Sequence, residues 1–235
     1  MKDKTNKRKI RTPFFEIGPK NYLYGSDIIS LAGYAQTASR KWDVDVIFTT
    51  PYMNIERVAR EFPDLFVFAP HMDPLKPGRG LADVLPEAVR AAGACGVMLN
   101  HTERPLDLNT LQQTLKRADE ANLLTIVCSD TLAEAKAVAQ MGPDLMVAEP
   151  ADLIGGSDAA DVSYVAASVK AVREIDPDIR VLVGGGVHSG EDVYRIIYAG
   201  ADATGSSSAI ATAADPEAII NEMIQAVRQA WDARK

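Results

Sequence analysis

Residues 96–104, GVMLNHTER, join a short apolar run to a polar turn, and His101 stands directly after the run. Short, continuous apolar runs are typical of strands that are buried on both faces of a parallel sheet. A second such run, at residues 145–148, leads directly into Glu149-Pro150. Catalytic groups of α/β proteins lie at the carboxyl ends of such strands. The two runs therefore predict a histidine and a carboxylate at one edge of a parallel sheet, where they suit acid–base chemistry.

Strand and helix patterns alternate along the chain. The candidate strands are residues 14–17, 45–49, 65–69, 96–100, 124–127, 145–148, 181–183 and 201–204, and clear helical patterns cover residues 108–121, 132–141, 163–174, 191–199 and 216–234. Thr131, Ser163 and Asp215 are helix-capping residue types at three helix starts, and Pro216 follows Asp215. Eight such strands predict an α/β protein with a closed (β/α)8 barrel, a single domain spanning residues 13–235. An open, doubly wound sheet is the alternative.

Composition excludes several classes of protein. The net charge of −7 argues against non-specific binding of nucleic acid, and no apolar run approaches the roughly 18 residues that a membrane span needs. Cys95 and Cys128 lack metal-type spacing, so free thiols and a cytoplasmic location are expected. Residues 1–12 are rich in lysine and arginine. We expect them to form a solvated basic tail, with binding of an anionic partner as the alternative.

Two glycine- and serine-rich segments lie where this fold binds phosphate. Residues 184–187, GGGV, follow the seventh candidate strand, and residues 205–208, GSSS, follow the eighth. Glycine lets backbone N–H groups approach a ligand closely, and the loops after strands 7 and 8 form the phosphate site of many such barrels. Each cluster alone is also typical of a tight turn, but the two together predict a phosphate-binding site.

These motifs resemble the triosephosphate isomerase family, most closely its short archaeal branch. The resemblance covers nearly the whole chain from about Phe14, and it is carried by residues 18–22, 73–78, 84–89, 99–104, 148–156 and 190–193. It implies a TIM barrel that interconverts an aldose and a ketose phosphate without a cofactor or a metal. It also implies a homodimer or homotetramer that packs partly through the third βα loop, here residues 71–83. The expected partner is a small phosphorylated sugar, with no nucleic acid and no membrane.

The resemblance also implies a role for each candidate site residue. Glu149 is expected to be the base, and His101 a neutral proton donor near a helix start; this glutamate–histidine pairing is the established one of the family. Lys20 is expected to stabilise the enediolate, and Glu103 to hold Lys20 or the substrate network in place. The phosphate is expected to bind at Gly155, Gly186, Ser207 and Ser208, the first of them in a lid after Glu149. Taken singly, each of these residues also has an ordinary structural explanation.

One departure from the family motif concerns the substrate. Gly18 stands where the family has an asparagine, two residues before the catalytic lysine. We expect the missing side chain to remove a hydrogen-bond donor and to leave room for extra substrate atoms. The resemblance implies glyceraldehyde 3-phosphate and dihydroxyacetone phosphate as the first substrate pair, and the change at Gly18 makes a four-carbon tetrulose phosphate the alternative. A non-catalytic phosphate-binding barrel is the alternative from another class, although a binder has no need of a general base.

Overall fold

The computed structural model describes residues 7–150 and 159–234. Within them, eight parallel strands close into a barrel in chain order. The strands are β1 (Phe14–Ile17), β2 (Asp45–Thr49), β3 (Phe66–Ala69), β4 (Gly96–Leu99), β5 (Leu124–Ser129), β6 (Leu145–Ala148), β7 (Arg180–Val183) and β8 (Ala203–Ser206). Because β1 pairs with both β2 and β8, the sheet has no edge. The predicted (β/α)8 barrel is confirmed, and the doubly wound alternative is wrong.

Helices surround the barrel. They are α1 (Ser26–Trp42), α2 (Ile55–Glu61), α3 (Pro86–Ala91), α4 (Leu108–Glu120), α5 (Leu132–Ala139), α6 (Val162–Arg173), α7 (Gly190–Tyr198), α8 (Ser208–Ala211) and α9 (Pro216–Ala233), with a 3-10 turn at Tyr52–Asn54 before α2. In the part of the chain that the structure describes, none of these helices is both long and apolar enough to cross a membrane.

Strand alternation divides the core into two layers. Phe14 of β1 belongs to the cluster inside the barrel, with Ile47, Phe68 and Ile126. Its neighbour Phe15 belongs instead to the larger cluster between the barrel and the helices. Successive side chains of a strand point to opposite faces, so the next inward-facing position of β1 after Phe14 is Glu16. The barrel interior thus carries apolar side chains in its lower layers and a carboxyl group nearer its carboxyl-end mouth.

The predicted helix starts are confirmed at two of three positions. The Thr131 side chain accepts a hydrogen bond from the Glu134 N–H, and Asp215 caps α9 with Pro216 as its first residue. The prediction for Ser163 is wrong, because Asp161 caps α6 by accepting a hydrogen bond from the Ser163 N–H. With Asp161 as its N-cap, α6 starts at Val162, one residue earlier than predicted.

The last strand also differs from its prediction. It runs over Ala203–Ser206 rather than residues 201–204, since its register with β1 pairs Phe14 with Ala203 and Ile17 with Ser206. Asp202 lies before the strand, where its carboxylate accepts a hydrogen bond from the Val181 N–H. Gly205 and Ser206 are therefore strand residues, and only Ser207 and Ser208 of the predicted loop follow the strand.

The prediction of a solvated basic tail is wrong for residues 7–12, which cover the amino-terminal mouth of the barrel; residues 1–6 lie outside the described residues. Lys7 is buried and its Nζ lies 2.8 Å from a carboxylate oxygen of both Asp119 and Asp144. Ile10 is buried in the interior cluster. Further along, Arg11 pairs with Asp43 and Asp45. The charge pattern alone predicted a tail, because the facing carboxylates come from distant parts of the sequence.

We predict that Lys7→Met lowers the free energy of unfolding by about 2–4 kcal/mol, because it removes the buried cation that two carboxylates face. Urea unfolding of the purified variant measures the change. Lys9→Met is the matched control, since Lys9 is exposed, and it should change stability by less than about 0.5 kcal/mol. Equal stability of the two variants would show that the Lys7 ion pairs contribute nothing.

Candidate active site

A cavity of about 660 Å³ opens at the carboxyl ends of the strands. Seven predicted site residues line it: Lys20, His101, Glu103, Glu149, Gly186, Ser207 and Ser208. The eighth, Gly155, and the rest of the predicted lid lie outside the described residues. Closure of the barrel brings these residues together from the segments that follow five of its strands.

Lys20 lies in the turn after β1 and is held by a carboxylate from the loop after β4. Its Nζ donates a hydrogen bond to Glu103 Oε1 at 2.8 Å. The ion pair keeps the pKa of Glu103 below its usual value. The Lys20 backbone has a φ of 48°, in the left-handed region that non-glycine residues seldom adopt. Such strain often occurs at functional positions. The pairing fixes a positive charge at the rim of the cavity.

His101 is positioned by Asn100, which also has a left-handed backbone, with a φ of 57°. The Asn100 amide donates hydrogen bonds to the Cys128 carbonyl and to Glu134 Oε1, at 3.0 and 2.9 Å. Its own oxygen accepts a hydrogen bond from the Leu106 N–H at 2.9 Å. These three bonds fasten the turn after β4 to the end of β5 and to α5, and they set the direction in which the histidine leaves the strand.

The hydrogen bonding of His101 defines its tautomer. The Glu103 N–H donates to Nδ1 at 3.1 Å, so a neutral ring carries its proton on Nε2. Burial and the nearby charge of Lys20 lower the pKa of His101. The expectation that His101 lies at a helix start is wrong, because residues 101–104 form a turn and α4 begins only at Leu108. The imidazole is thus a neutral hydrogen-bond donor at neutral pH for reasons of burial and charge.

Glu149 follows β6, and its main-chain N–H donates to the Ser129 carbonyl at 3.0 Å. Its carboxylate lies against Gly184, where a Cβ atom would come within 3.1 Å of Oε1. Burial raises the pKa of Glu149, while the charge of Lys20 opposes that rise. A carboxylate that has lost much of its water is a stronger base than an exposed one. This position suits proton abstraction from a bound ligand.

The β7 and β8 ends form the polar side of the cavity. Gly185 and Gly186 have φ values of 96° and 63°, which glycine adopts without strain. The Ser207 hydroxyl oxygen is buried and has no hydrogen-bond partner among the described residues. An unpaired buried hydroxyl beside glycine-rich backbone is suited to a ligand with strong acceptor oxygens, such as a phosphate group.

Sequence reasoning missed Glu16, whose only signal was one carboxylate in the apolar strand FFEI. Glu16 lines the cavity and is only 8% exposed. Burial raises its pKa to about 7; the Thr49 hydroxyl and the charge of Lys20 oppose this shift, and the charge of Glu149 adds to it. The expected room beside Gly18 is partly filled, because a Cβ there would lie 3.0 Å from Glu16 Oε1. The side chain of Glu16, two residues earlier in the chain, thus occupies part of the space beside Gly18.

Comparisons with known proteins agree with the barrel fold. A family model described as triosephosphate isomerase matches residues 20–223. The triosephosphate isomerase of Sulfolobus acidocaldarius is 32% identical over 229 residues, which cover 96% of this chain and 99% of that protein. That of Methanosarcina mazei is 33% identical over 221 residues, covering 92% and 99%. The crystal structure of the Bartonella henselae enzyme has the same fold, with a TM-score of 0.75 at 15% identity over 93% of this chain and all of that one.

We predict that Glu16→Gln stabilises the free protein at alkaline pH. Folding raises the pKa of Glu16 from 4.5 to about 7, so the folded state disfavours the carboxylate. The resulting loss of stability is absent below pH 4.5, grows as the pH rises and is complete above about pH 7. Urea unfolding at pH 8 should show a gain of about 2–3 kcal/mol, which shrinks toward zero at pH 5.

Glu56→Gln is the control for this measurement, because Glu56 is exposed on α2. It should leave the free energy of unfolding nearly the same at both pH values. A gain for Glu16→Gln that does not depend on pH would contradict the shift in the Glu16 pKa.

Proposed function

The chain belongs to the triosephosphate isomerase family of aldose–ketose isomerases, and we propose that it interconverts glyceraldehyde 3-phosphate and dihydroxyacetone phosphate. One observation carries the proposal. A buried carboxylate with a raised pKa, a neutral imidazole that carries its proton on Nε2 and a paired lysine all line one cavity, as Glu149, His101 and Lys20. This set provides a base, a proton donor and a fixed positive charge for proton transfer beside a carbonyl.

The proposed reaction begins when Glu149 removes a proton from the carbon next to the carbonyl. The electron pair of the broken C–H bond forms the C=C bond of an enediolate, and the carbonyl π electrons move to oxygen. The neutral His101 donates its Nε2 proton to the former carbonyl oxygen and takes up the proton of the neighbouring hydroxyl group, while Lys20 stabilises the negative charge on these oxygens. The second oxygen then forms the new carbonyl, and the electron pair of the C=C bond takes the proton back from Glu149 at the former carbonyl carbon, which completes the isomerisation without net oxidation.

The loops pair Lys20 with Glu103 rather than with the proposed base, Glu149. Glu103 pairs directly with Lys20 at 2.8 Å, which leaves the Glu149 carboxylate free of that ion pair. In this proposal Gly155, Gly186, Ser207 and Ser208 bind the phosphate. Support comes from the unpaired Ser207 hydroxyl and from the left-handed glycine at 186.

A tetrulose phosphate is the second candidate substrate. Glu16 adds a buried carboxyl group to the cavity floor, and a fourth carbon brings one more hydroxyl group that this carboxyl can bind. A non-catalytic phosphate-binding barrel fits less well, since the raised pKa of Glu149 is a cost that binding alone does not require.

The proposal extends to assembly and location. We propose a homodimer or homotetramer that packs partly through residues 71–83, where Leu81 is 95% exposed. Two free, buried cysteines, Cys95 and Cys128, support a cytoplasmic location.

A direct assay of isomerisation tests the substrate. We expect kcat/KM for glyceraldehyde 3-phosphate to exceed that for a four-carbon ketose phosphate, with each reaction monitored through the consumption or formation of its aldose. The reverse order would favour the tetrulose phosphate. Absence of turnover with either compound, in protein that binds inorganic phosphate, would support the non-catalytic alternative.

A second prediction concerns the base. Glu149→Gln should lower kcat by about 10³-fold, because the amide cannot accept the proton in the transition state. Affinity for inorganic phosphate, measured by titration calorimetry, should stay within about two-fold of the original protein. Glu149→Asp is the matched variant: it keeps a carboxylate but retracts it, so it should be more active than Glu149→Gln. Unchanged kcat in Glu149→Gln would exclude Glu149 as the base.

A further inference from the structure

We propose that Glu16 and Thr49 form a hydroxyl-binding subsite on the floor of the active-site cavity, and that this subsite recognises a hydroxyl group of the phosphorylated sugar. The inference rests on the proposed function in one respect, namely that the ligand in this cavity is a sugar phosphate. It adds two substrate-contacting residues that acid–base chemistry alone does not require.

The strand register places both side chains on the inner face of the barrel. Glu16 is opposite Ile47 of β2 and Gly205 of β8. Ile47 belongs to the interior cluster, and Thr49 is two residues further along β2, so it points inward one layer closer to the mouth. Both Glu16 and Thr49 line the cavity, although they are only 8% and 6% exposed. The two groups therefore lie together at the bottom of the site.

Two glycines make the room for the Glu16 carboxyl group. A Cβ at Gly205 would lie 2.8 Å from the Glu16 carbonyl oxygen and 3.0 Å from Oε2. At Gly18 it would lie 3.0 Å from Oε1. Neither glycine has a positive φ, so space and not backbone conformation accounts for the absence of a side chain. The absence of side chains at Gly18 and Gly205 therefore leaves space for the Glu16 carboxyl group on two sides.

Part of the hydrogen-bonding capacity of this pair is unused among the described residues, although the Thr49 hydroxyl lies near enough to Glu16 to favour its carboxylate form. Glu16 Oε1 and Thr49 Oγ1 are buried, and neither makes a hydrogen bond of good geometry to any described residue. Buried polar groups are nearly always paired, and leaving them unpaired costs stability. An apolar residue at position 16 would continue the core of Phe14 and Ile47 at no such cost. A carboxyl group here is accounted for by a partner that comes with the ligand.

A hydroxyl group is the partner that this chemistry favours. Glu149, Lys20 and Cys128 are the titratable groups in electrostatic contact with Glu16, and the raised pKa of Glu16 lets both of its protonation states occur near neutrality. A hydroxyl can donate to the carboxylate or accept from the carboxylic acid, and it can also bond to Thr49. A phosphate would be repelled by the carboxylate, so the phosphate end of the ligand binds elsewhere in the cavity.

Calorimetric titration with three unreactive probes tests this subsite. The probes are glycerol 3-phosphate, propyl phosphate, which has the same carbon chain without hydroxyl groups, and inorganic phosphate. The measured quantity is the ratio of affinities for glycerol 3-phosphate and propyl phosphate. Glu16→Val and Thr49→Val should each reduce this ratio at least five-fold, while the affinity for inorganic phosphate stays within two-fold. Glu16→Gln should retain most of the ratio, because an amide can still donate and accept.

Thr49→Val keeps the side-chain shape, so it provides the test even if Glu16→Val does not fold. An unchanged ratio in Thr49→Val would overturn the subsite, and so would an unchanged ratio in a folded Glu16→Val. The failure of the proposed function is distinguishable, since it is measured by turnover. A protein that turns over no sugar phosphate but loses its preference in these variants keeps the subsite and loses the function. A protein with normal turnover of the sugar phosphate, whose variants leave the ratio unchanged, keeps the proposed function and loses the subsite.

Discussion

Closure of the eight-stranded sheet is the constraint on which the site depends. Once β1 pairs with β8, every strand has two neighbours and every second side chain must enter the barrel. Apolar side chains such as Phe14, Ile47 and Phe68 fill the lower layers. Because all strands are parallel, their carboxyl ends meet at one mouth, and the residues that follow them surround one cavity. Residues as distant in sequence as Lys20 and Ser208 line the same space for this reason.

Withdrawal from water then sets the chemistry of that space. Burial is the largest cause of the shifts at Glu149, His101 and Glu16, and in each case it favours the uncharged form. Lys20 works against this trend for the carboxylates and in favour of it for the histidine. Its ion pair with Glu103 holds that charge at the rim. One lysine thereby helps to keep the Glu149 carboxyl group ionisable and the His101 imidazole neutral within the same cavity.

The structure also shows how a charged chain segment becomes part of a fold. Lys7, Arg8 and Arg11 reach carboxylates, carbonyl groups and an aromatic ring around the amino-terminal mouth. Ile10 closes the interior from below. The barrel therefore has a stabilised base, with buried ion pairs, opposite the end where strained backbone at Lys20 and Asn100 positions the reactive groups.

Periodicity and local chemistry were sufficient for much of this protein. Apolar runs with polar residues after them identified the eight strands, His101 and Glu149, since a buried parallel strand and its carboxyl end are local patterns. Capping at Thr131 and Asp215 is equally local. Tertiary structure alone decided the features that depend on partners from elsewhere in the chain. The start of β8 is set by its register with β1, the place of Lys7 by Asp119 and Asp144, and the neutral state of His101 by burial and Lys20 rather than by a helix start. Glu16 belongs to the same group, because only the closed barrel brings Gly18, Gly205 and Thr49 around its carboxyl group.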